Sequence, residues 1–433
     1  MTGPVANATV GTRLAGCLLL LISATGVGVE ELDPVEKQIV TAVEAGQQDA
    51  IALLAETVNI ASATENHAGV RRVGDVYARE LRALGFQTRW IELPAKLNRA
   101  GHLLAVHNGG NTRRILLIGH LDTVLEAEPF RRDDNRAYGS GSSDMKGGNA
   151  IIVAALRALK DVGALVDRNI TVVFTGDEED PGDPALESRE ALMQAGLQSD
   201  IALGFEGGVP GLAVIGRRGI AVWRLQVAGR QGHSSGIFRE EMGDGAIFEA
   251  SRILQRFHQE LREPNLTYNP SLIVGGTNVT LDEGARQGSA EGKTNVIPRV
   301  VLVEGDLRYL SAEQYESARQ RMSAIVEDSL PGTSSAMKIS EEYPAMAPTQ
   351  SNRQLLRVLD RASLDLGLGP IVAQDPAERG AGDISFVCNG RLACLDGLGA
   401  FGGKDHAPGE YVEIDTLAML TKRTALLIHR LSR

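Results

Sequence analysis

Histidine and acidic side chains gather in five short stretches of this 433-residue chain, each beside an apolar run or a glycine-rich turn. The first is Ile118-Gly119-His120-Leu121-Asp122-Thr123. The second, Gly139-Ser140-Gly141-Ser142-Ser143-Asp144-Met145-Lys146-Gly147, opens a helical pattern. The third is Thr175-Gly176-Asp177-Glu178-Glu179-Asp180, the fourth Gly204-Phe205-Glu206-Gly207, and the last Gly402-Gly403-Lys404-Asp405-His406-Ala407-Pro408. Imidazole nitrogen combined with carboxylate oxygen is a donor set suited to zinc in a hydrolase. Taken singly, each stretch has a plainer reading. His120 could be a satisfied structural histidine, 177–180 a solvated acidic loop, Glu206 a helix cap and His406 a residue of a surface turn. Their joint occurrence in this order favours a metal centre.

Such a centre needs elements that end close together, and the hydrophobic pattern supplies them. Short apolar runs at 87–93, 103–106, 115–118, 170–174 and 201–205 read as strands, with a helix at 146–160 between the third and fourth. Alternation of strand and helix predicts a mostly parallel α/β sheet, whose ligands collect outside the carboxyl ends of its strands. Ahead of it, apolar spacing predicts one amphipathic helix over 36–60 and another over 73–84 that stops at Gly85. Past Gly216 the style changes. Strands at 220–227, 278–281, 294–297, 300–306 and 336–339 and helices at 243–260 and 312–327 give the order β-α-β-β-α-β of a ferredoxin-like sandwich. A helix at 352–366 and a strand at 392–395 return to the first style. The expected organisation is a catalytic domain of residues 30–216 and 346–433, with an inserted α+β domain of residues 217–345. Composition agrees with a soluble α/β enzyme. Lys and Arg total 44 against 55 Asp and Glu, a net charge of −11, which argues against a general nucleic-acid binder.

With these motifs in view, the chain from about residue 35 onward resembles the zinc-dependent exopeptidases and amidohydrolases that include glutamate carboxypeptidase, aminoacylase and succinyl-diaminopimelate desuccinylase. His120 and Asp122 match the family's H-x-D, Gly141–Gly147 its G-x-x-D-M-K-G, and Glu178-Glu179 its glutamate pair. The resemblance implies two zinc ions per subunit: one held by His120 and Glu206, the other by Glu179 and His406, with Asp144 bridging. It makes Glu178 the general base and has Asp122 steady the imidazole of His120. Gly229-Arg230-Gln231-Gly232-His233-Ser234-Ser235 is similar to the loop whose histidine stabilises an oxyanion in a neighbouring subunit's site. Asn295 and Arg308 are similar to the residues that hold the substrate's carboxylate, a role that suits a guanidinium fork. The implied substrate is a small peptide or N-acyl amino acid. The reach required of His233 implies either a closing hinge near 216–219 and 341–348 or a partner subunit, and the expected form is a homodimer built on the inserted domain. One departure stands out: residues 207–212, after Glu206, contain no basic side chain to read an acidic substrate. Arg217 and Arg218, at the domain junction, read equally as hinge salt bridges or substrate contacts.

Two rival functions follow from other residues. Gly232-His233-Ser234-Ser235-Gly236 fits G-x-S-x-G, so Ser234 with Asp383 and His406 could form a serine hydrolase triad. A non-catalytic binding protein of the same fold is the other. Residues 1–29 resemble a secretory signal, with Arg13 ahead of an apolar run too short to anchor stably in a membrane. This predicts a periplasmic or secreted protein, with a cytoplasmic one as the alternative. Cys388 and Cys394 read as two buried thiols, since one pair makes no disulfide framework.

Overall fold

The computed structural model describes residues 31–126, 128–282, 287–388 and 390–433. The expected signal segment at 1–29 lies outside the described residues. No helix among the described residues is long and apolar enough to cross a membrane.

A six-stranded sheet carries the chemistry-bearing loops. Its order is Gln87–Ile91, His102–His107, Asn169–Thr175, Arg114–His120, Ile201–Gly204, Ala393–Leu395. The last four strands are parallel, while the first two join antiparallel at one edge. The central strand Arg114–His120 is buried in all but its first residue, as a strand covered on both faces must be. One face packs on helices that include Gly147–Asp161 and Ile414–Leu431 through a core holding Leu117, Ile152, Leu156 and Leu427. The other packs through Leu116, Ile118, Leu192 and Ile384. The predicted helix over 36–60 is in fact two, Pro34–Ala45 and Gln47–Val58, broken at Gly46. Asp33 and Glu36 close a capping box on the first.

Residues 219–343 build their own sheet, in the order Thr267–Gly276, Val300–Tyr309, Gly219–Gly229, Thr333–Tyr343, antiparallel throughout. Helices Ala246–Glu260 and Ala312–Glu327 cover it, and Trp223, Phe257 and Met322 lie in a core of its own. This is the expected α+β order with four corrections, the first that Asn278–Leu281 is a strand outside this sheet, paired with Gly288–Glu291. Strand Thr267–Gly276 was not legible, because Pro270 lies within it and the register slips between Pro270 and Leu272. Residues 294–297 form no strand, only a bridge between Val296 and His233. The first helix starts at Ala246 and not at 243, because Gly243 and Gly245 have positive φ. The inserted segment enters and leaves at one point, where Arg217 N donates to Met346 O at 2.9 Å and Met346 N to Arg217 O at 3.0 Å.

Cys388 and Cys394 form a disulfide, correcting the expectation of two free thiols. Only six positions separate them, and the loop before strand Ala393–Leu395 turns back far enough to bring the sulfurs together.

Candidate metal centre

Three of the five stretches follow the carboxyl ends of the neighbouring parallel strands Arg114–His120, Asn169–Thr175 and Ile201–Gly204, and the turns bearing Asp144 and His406 meet them there. His120 closes its strand and is buried, with Nε2 3.1 Å from Asp144 Oδ1 and 4.0 Å from Glu206 Oε1. His406 presents Nε2 at 3.1 Å from Asp144 Oδ2 and 3.1 Å from Glu179 Oε2. Two triads result, His120–Asp144–Glu206 and Asp144–Glu179–His406, with the ligand-type atoms of each within 4.8 Å of one another. Asp144 belongs to both, one oxygen turned to each histidine.

The backbone makes this arrangement possible. A Cβ on Gly119 would come within 2.1 Å of Asn149 Oδ1, so only glycine there lets Asn149 Nδ2 reach the His120 carbonyl, at 2.6 Å. The turn bearing Asp144 is held from within by Glu410. Its carboxylate accepts from the N–H groups of Gly141 at 2.7 Å, Ser143 at 2.8 Å and Asp144 at 2.9 Å. Sequence reasoning missed Glu410; its place four residues after His406 was the available signal.

Asp122 lies against His120 and also reaches beyond it. His120 Nδ1 faces the main-chain oxygen of Asp122 at 3.0 Å, with its carboxylate Oδ1 farther off at 3.4 Å. That carboxylate accepts from the backbone N–H of Glu178 and of Glu179, each at 3.1 Å, and from Thr64 Oγ1 at 2.7 Å. Asp122 therefore ties the His120 strand end to the loop of the glutamate pair. A second, wholly buried network grips that loop from the other side. Arg189 donates to Asp177 Oδ1 at 2.6 Å, Asp177 O at 2.9 Å and Asp383 Oδ1 at 2.5 Å. Ser188 Oγ donates to Asp177 Oδ2 at 2.6 Å, and Thr175 Oγ1 to Asp383 Oδ2 at 2.6 Å. His102 is buried beside this network, accepting from Gly176 N at Nδ1.

The electrostatics call for cations. Burial, then the charge of Asp144, pushes the Glu206 carboxyl up to about 8. Burial and the charge of Glu206 hold Glu178 well above the carboxylate range. Burial opposes charge on His120, yet hydrogen bonds to Asp122 and Asp144 hold its pKa well above the usual value. His406 rises to about 11 through its hydrogen bonds to Asp144 and Glu179. The carboxylates are packed more densely than the two imidazoles can neutralise. A pair of divalent cations fits this donor set: each triad offers an imidazole nitrogen and hard oxygens, with one shared carboxylate.

Other predicted residues stand apart from the cluster. His233 and Asn295 lie side by side on the inserted segment, where Ser234 N donates to Asn295 O at 3.0 Å and His233 Nδ1 faces Ser235 Oγ at 2.8 Å. Arg308 lies on Val300–Tyr309, where Nε donates to Asp306 at 2.9 Å. Arg217 is a structural brace, paired with buried Asp396 at 2.7 Å. The serine triad finds its partners engaged elsewhere, Asp383 by Arg189 and His406 by Asp144 and Glu179. Ser234 opens the three-residue turn Ser234–Gly236 and no helix, unlike a nucleophile elbow. A cleft of about 1010 Å³ along strand His102–His107 contains none of the cluster residues.

Comparison with known proteins agrees with this geometry. A profile described as peptidase family M20/M25/M40 matches residues 116–430. The chain is 27% identical over 393 residues to carboxypeptidase G2 of Pseudomonas sp. (strain RS-16), covering 88% of this chain and 89% of that protein. Its fold is similar to the aminopeptidase PepT of Bacillus cereus, with TM-score 0.71 at 18% identity over 89% of this chain and 99% of the other. It is also similar to a dinuclear metal-binding peptidase of Bacillus subtilis, with TM-score 0.62 at 15% identity over 90% of this chain and 99% of the other. With the profile matched over most of the chain, the protein belongs to peptidase family M20/M25/M40 and is a metallohydrolase of that family.

Proposed function

We propose that this metallohydrolase cleaves a terminal amide or peptide bond and releases an amino acid, as a carboxypeptidase or an N-acyl amino acid hydrolase. The observation that carries the reading is the pair of triads sharing Asp144, with Glu178 beside them. In this mechanism His120 and Glu206 would hold one zinc ion and Glu179 and His406 the second, with Asp144 common to both groups. Bound there, the metals supply Lewis-acid chemistry, lowering the pKa of a water and polarising the scissile carbonyl. The Glu178 carboxylate takes the proton of the attacking water and passes it to the leaving amide nitrogen. Asn295 and Arg308 hold the carboxylate of the leaving amino acid.

Residues 217–345 serve as lid and dimerisation domain, and His233 completes the neighbouring subunit's site by stabilising the developing oxyanion. Phe238, Ile247, Phe248 and Ile273 are all large, apolar and exposed on this segment, and the rings of Phe238 and Phe248 pack 5.7 Å apart. Such a surface favours burial against a second copy. A periplasmic or secreted location fits the Cys388–Cys394 bridge, since disulfides persist in oxidising compartments.

Metal analysis and chelation test the reading. The purified chain is expected to hold about two zinc ions. A strong chelator should abolish hydrolysis of N-acyl amino acids and dipeptides, and added zinc should restore it. It should also lower the melting temperature, because metal present at 1,000 times its Kd stabilises a fold by about 4 kcal/mol. Full activity in chelator combined with loss to a serine-directed inhibitor would reject it.

A further inference from the structure

A single peptide unit separates the proposed general base from the metal-type residue beside it, and its two polar ends are held from opposite sides. The N–H of Glu179 donates to Asp122 Oδ2 at 3.1 Å, and the N–H of Glu178 donates to Asp122 Oδ1 at 3.1 Å. The carbonyl of Glu178 points the other way, as it must across a planar trans peptide. It accepts from the Tyr343 hydroxyl at 3.2 Å. Asp122 stands two residues past strand Arg114–His120 of the main sheet. Tyr343 lies 165 positions from Glu178 and ends strand Thr333–Tyr343 of the inserted segment. The loop of the glutamate pair is therefore gripped at one peptide by the main sheet and by the inserted segment.

The contacts around Tyr343 fix where its hydroxyl points. Its ring packs on buried Phe386 with centroids 5.0 Å apart. Its main chain is held by Tyr309, whose hydroxyl bonds Glu341 and lies 3.1 Å from the Tyr343 carbonyl oxygen. Gly219 lies against the Tyr309 ring, where a Cβ would come within 2.5 Å of it. Tyr309 directly follows Arg308 on strand Val300–Tyr309. A path of contacts thus runs from the strand that holds the substrate's carboxylate in the proposed function, through Tyr309 and Tyr343, to the main chain of Glu178. Three residues beyond Tyr343 the chain rejoins the main body at the Arg217–Met346 pair. A rotation of the inserted segment about that point would carry the Tyr343 hydroxyl with it and leave Asp122 behind.

We propose that Tyr343 is a positioning residue. Its hydroxyl sets the 178–179 peptide and with it the Glu178 carboxylate, so that proton transfer runs at full rate only while the inserted segment is seated. The inference rests on the proposed function, in which Glu178 is the base. Tyr343 touches no reacting atom and acts through the Glu178 main chain. A base moved slightly out of line loses rate while the substrate still binds.

Tyr343→Phe removes the hydroxyl and keeps the ring on Phe386. In the zinc-loaded full chain, with N-acetyl-leucine and alanyl-leucine as substrates, kcat should fall about 2–10-fold, the worth of one neutral hydrogen bond, with KM nearly unchanged. Zinc content and melting temperature should stay at the wild-type level. In the Glu178→Gln background the same substitution should slow turnover no further, because the group it positions is gone, whereas a packing role would slow both backgrounds alike. Backbone amide exchange over residues 176–182, followed by mass spectrometry without substrate, should be faster in Tyr343→Phe. Wild-type kcat in Tyr343→Phe, an equal loss in both backgrounds, a change confined to KM, or unchanged exchange overturns this inference and leaves the hydrolase reading standing. If the wild-type chain hydrolyses neither these substrates nor other N-acyl amino acids and dipeptides, the hydrolase reading fails. The exchange measurement then decides alone, faster exchange supporting Tyr343 as the anchor of the glutamate loop and unchanged exchange overturning it.

Discussion

Glu178 and Glu179 are neighbours with different surroundings. Glu179 reaches His406, while Glu178 is half-buried near other carboxylates with no cationic side chain bonded to it among the described residues. Replacing Glu178 by Gln keeps the size and removes the proton acceptor. The variant should retain its zinc and its melting temperature and lose about 10²–10⁴-fold in kcat; near-normal turnover with zinc bound would assign the base elsewhere. At this scale the sequence was highly informative. His120, Asp144, Glu179, Glu206 and His406 were legible because metal-type residues sit in stereotyped local motifs at strand ends. Glu410 was not, because a carboxylate that serves only backbone N–H groups is marked by nothing but its place four residues after His406.

The loop that carries both glutamates gains its rigidity from elements around it. Arg189, at the start of helix Glu190–Leu197, is fully buried between Asp177 and Asp383. Such a triad adds little over an apolar core but is costly to break, since removing one partner strands a buried charge. Arg189→Met should therefore destabilise the protein by about 3–5 kcal/mol in chemical denaturation, and the folded fraction should turn over more slowly. A loss under about 1 kcal/mol would mean that water or a shift in protonation relieves the two aspartates. The elements themselves were read from periodicity with mixed results. Continuous apolar runs gave the parallel strands within a residue or two. A helical spacing that continues through Gly46 hid the break between two helices, and Pro270 masked an edge strand that takes a bulge at that point.

At the scale of the whole molecule, the question is whether a chain completes its own site. His233 bonds only within its loop among the described residues, on a segment that exposes Phe238, Ile247, Phe248 and Ile273. In the proposed dimer each histidine serves the other subunit. Mixing His233→Ala chains with Glu178→Ala chains and letting them exchange should then restore part of the activity, because one site of each mixed dimer regains both groups. No recovery after demonstrated exchange would place His233 in its own subunit's site or in a structural role, and the dimer argument would fall with it. Long-range placement is what the sequence conveyed least. Nothing local announces that Arg379 approaches Gly207, or that Asp383 belongs to Arg189 and not to a serine triad.

The paired hydrogen bonds between Arg217 and Met346 bear on how such a molecule can change over time. Chain ends that meet side by side make an insertion behave like a cassette, since the host closes the same path whatever is plugged in between. The inserted sheet has its own core and can be lengthened, reshaped or traded without rerouting the strands that bring the ligand-type residues together. Arg218 and Arg308 travel with the cassette, whereas Arg379 and the acidic cluster stay with the host. A change of attachment thus alters what surrounds the reaction centre while its ligand-type residues stay in place.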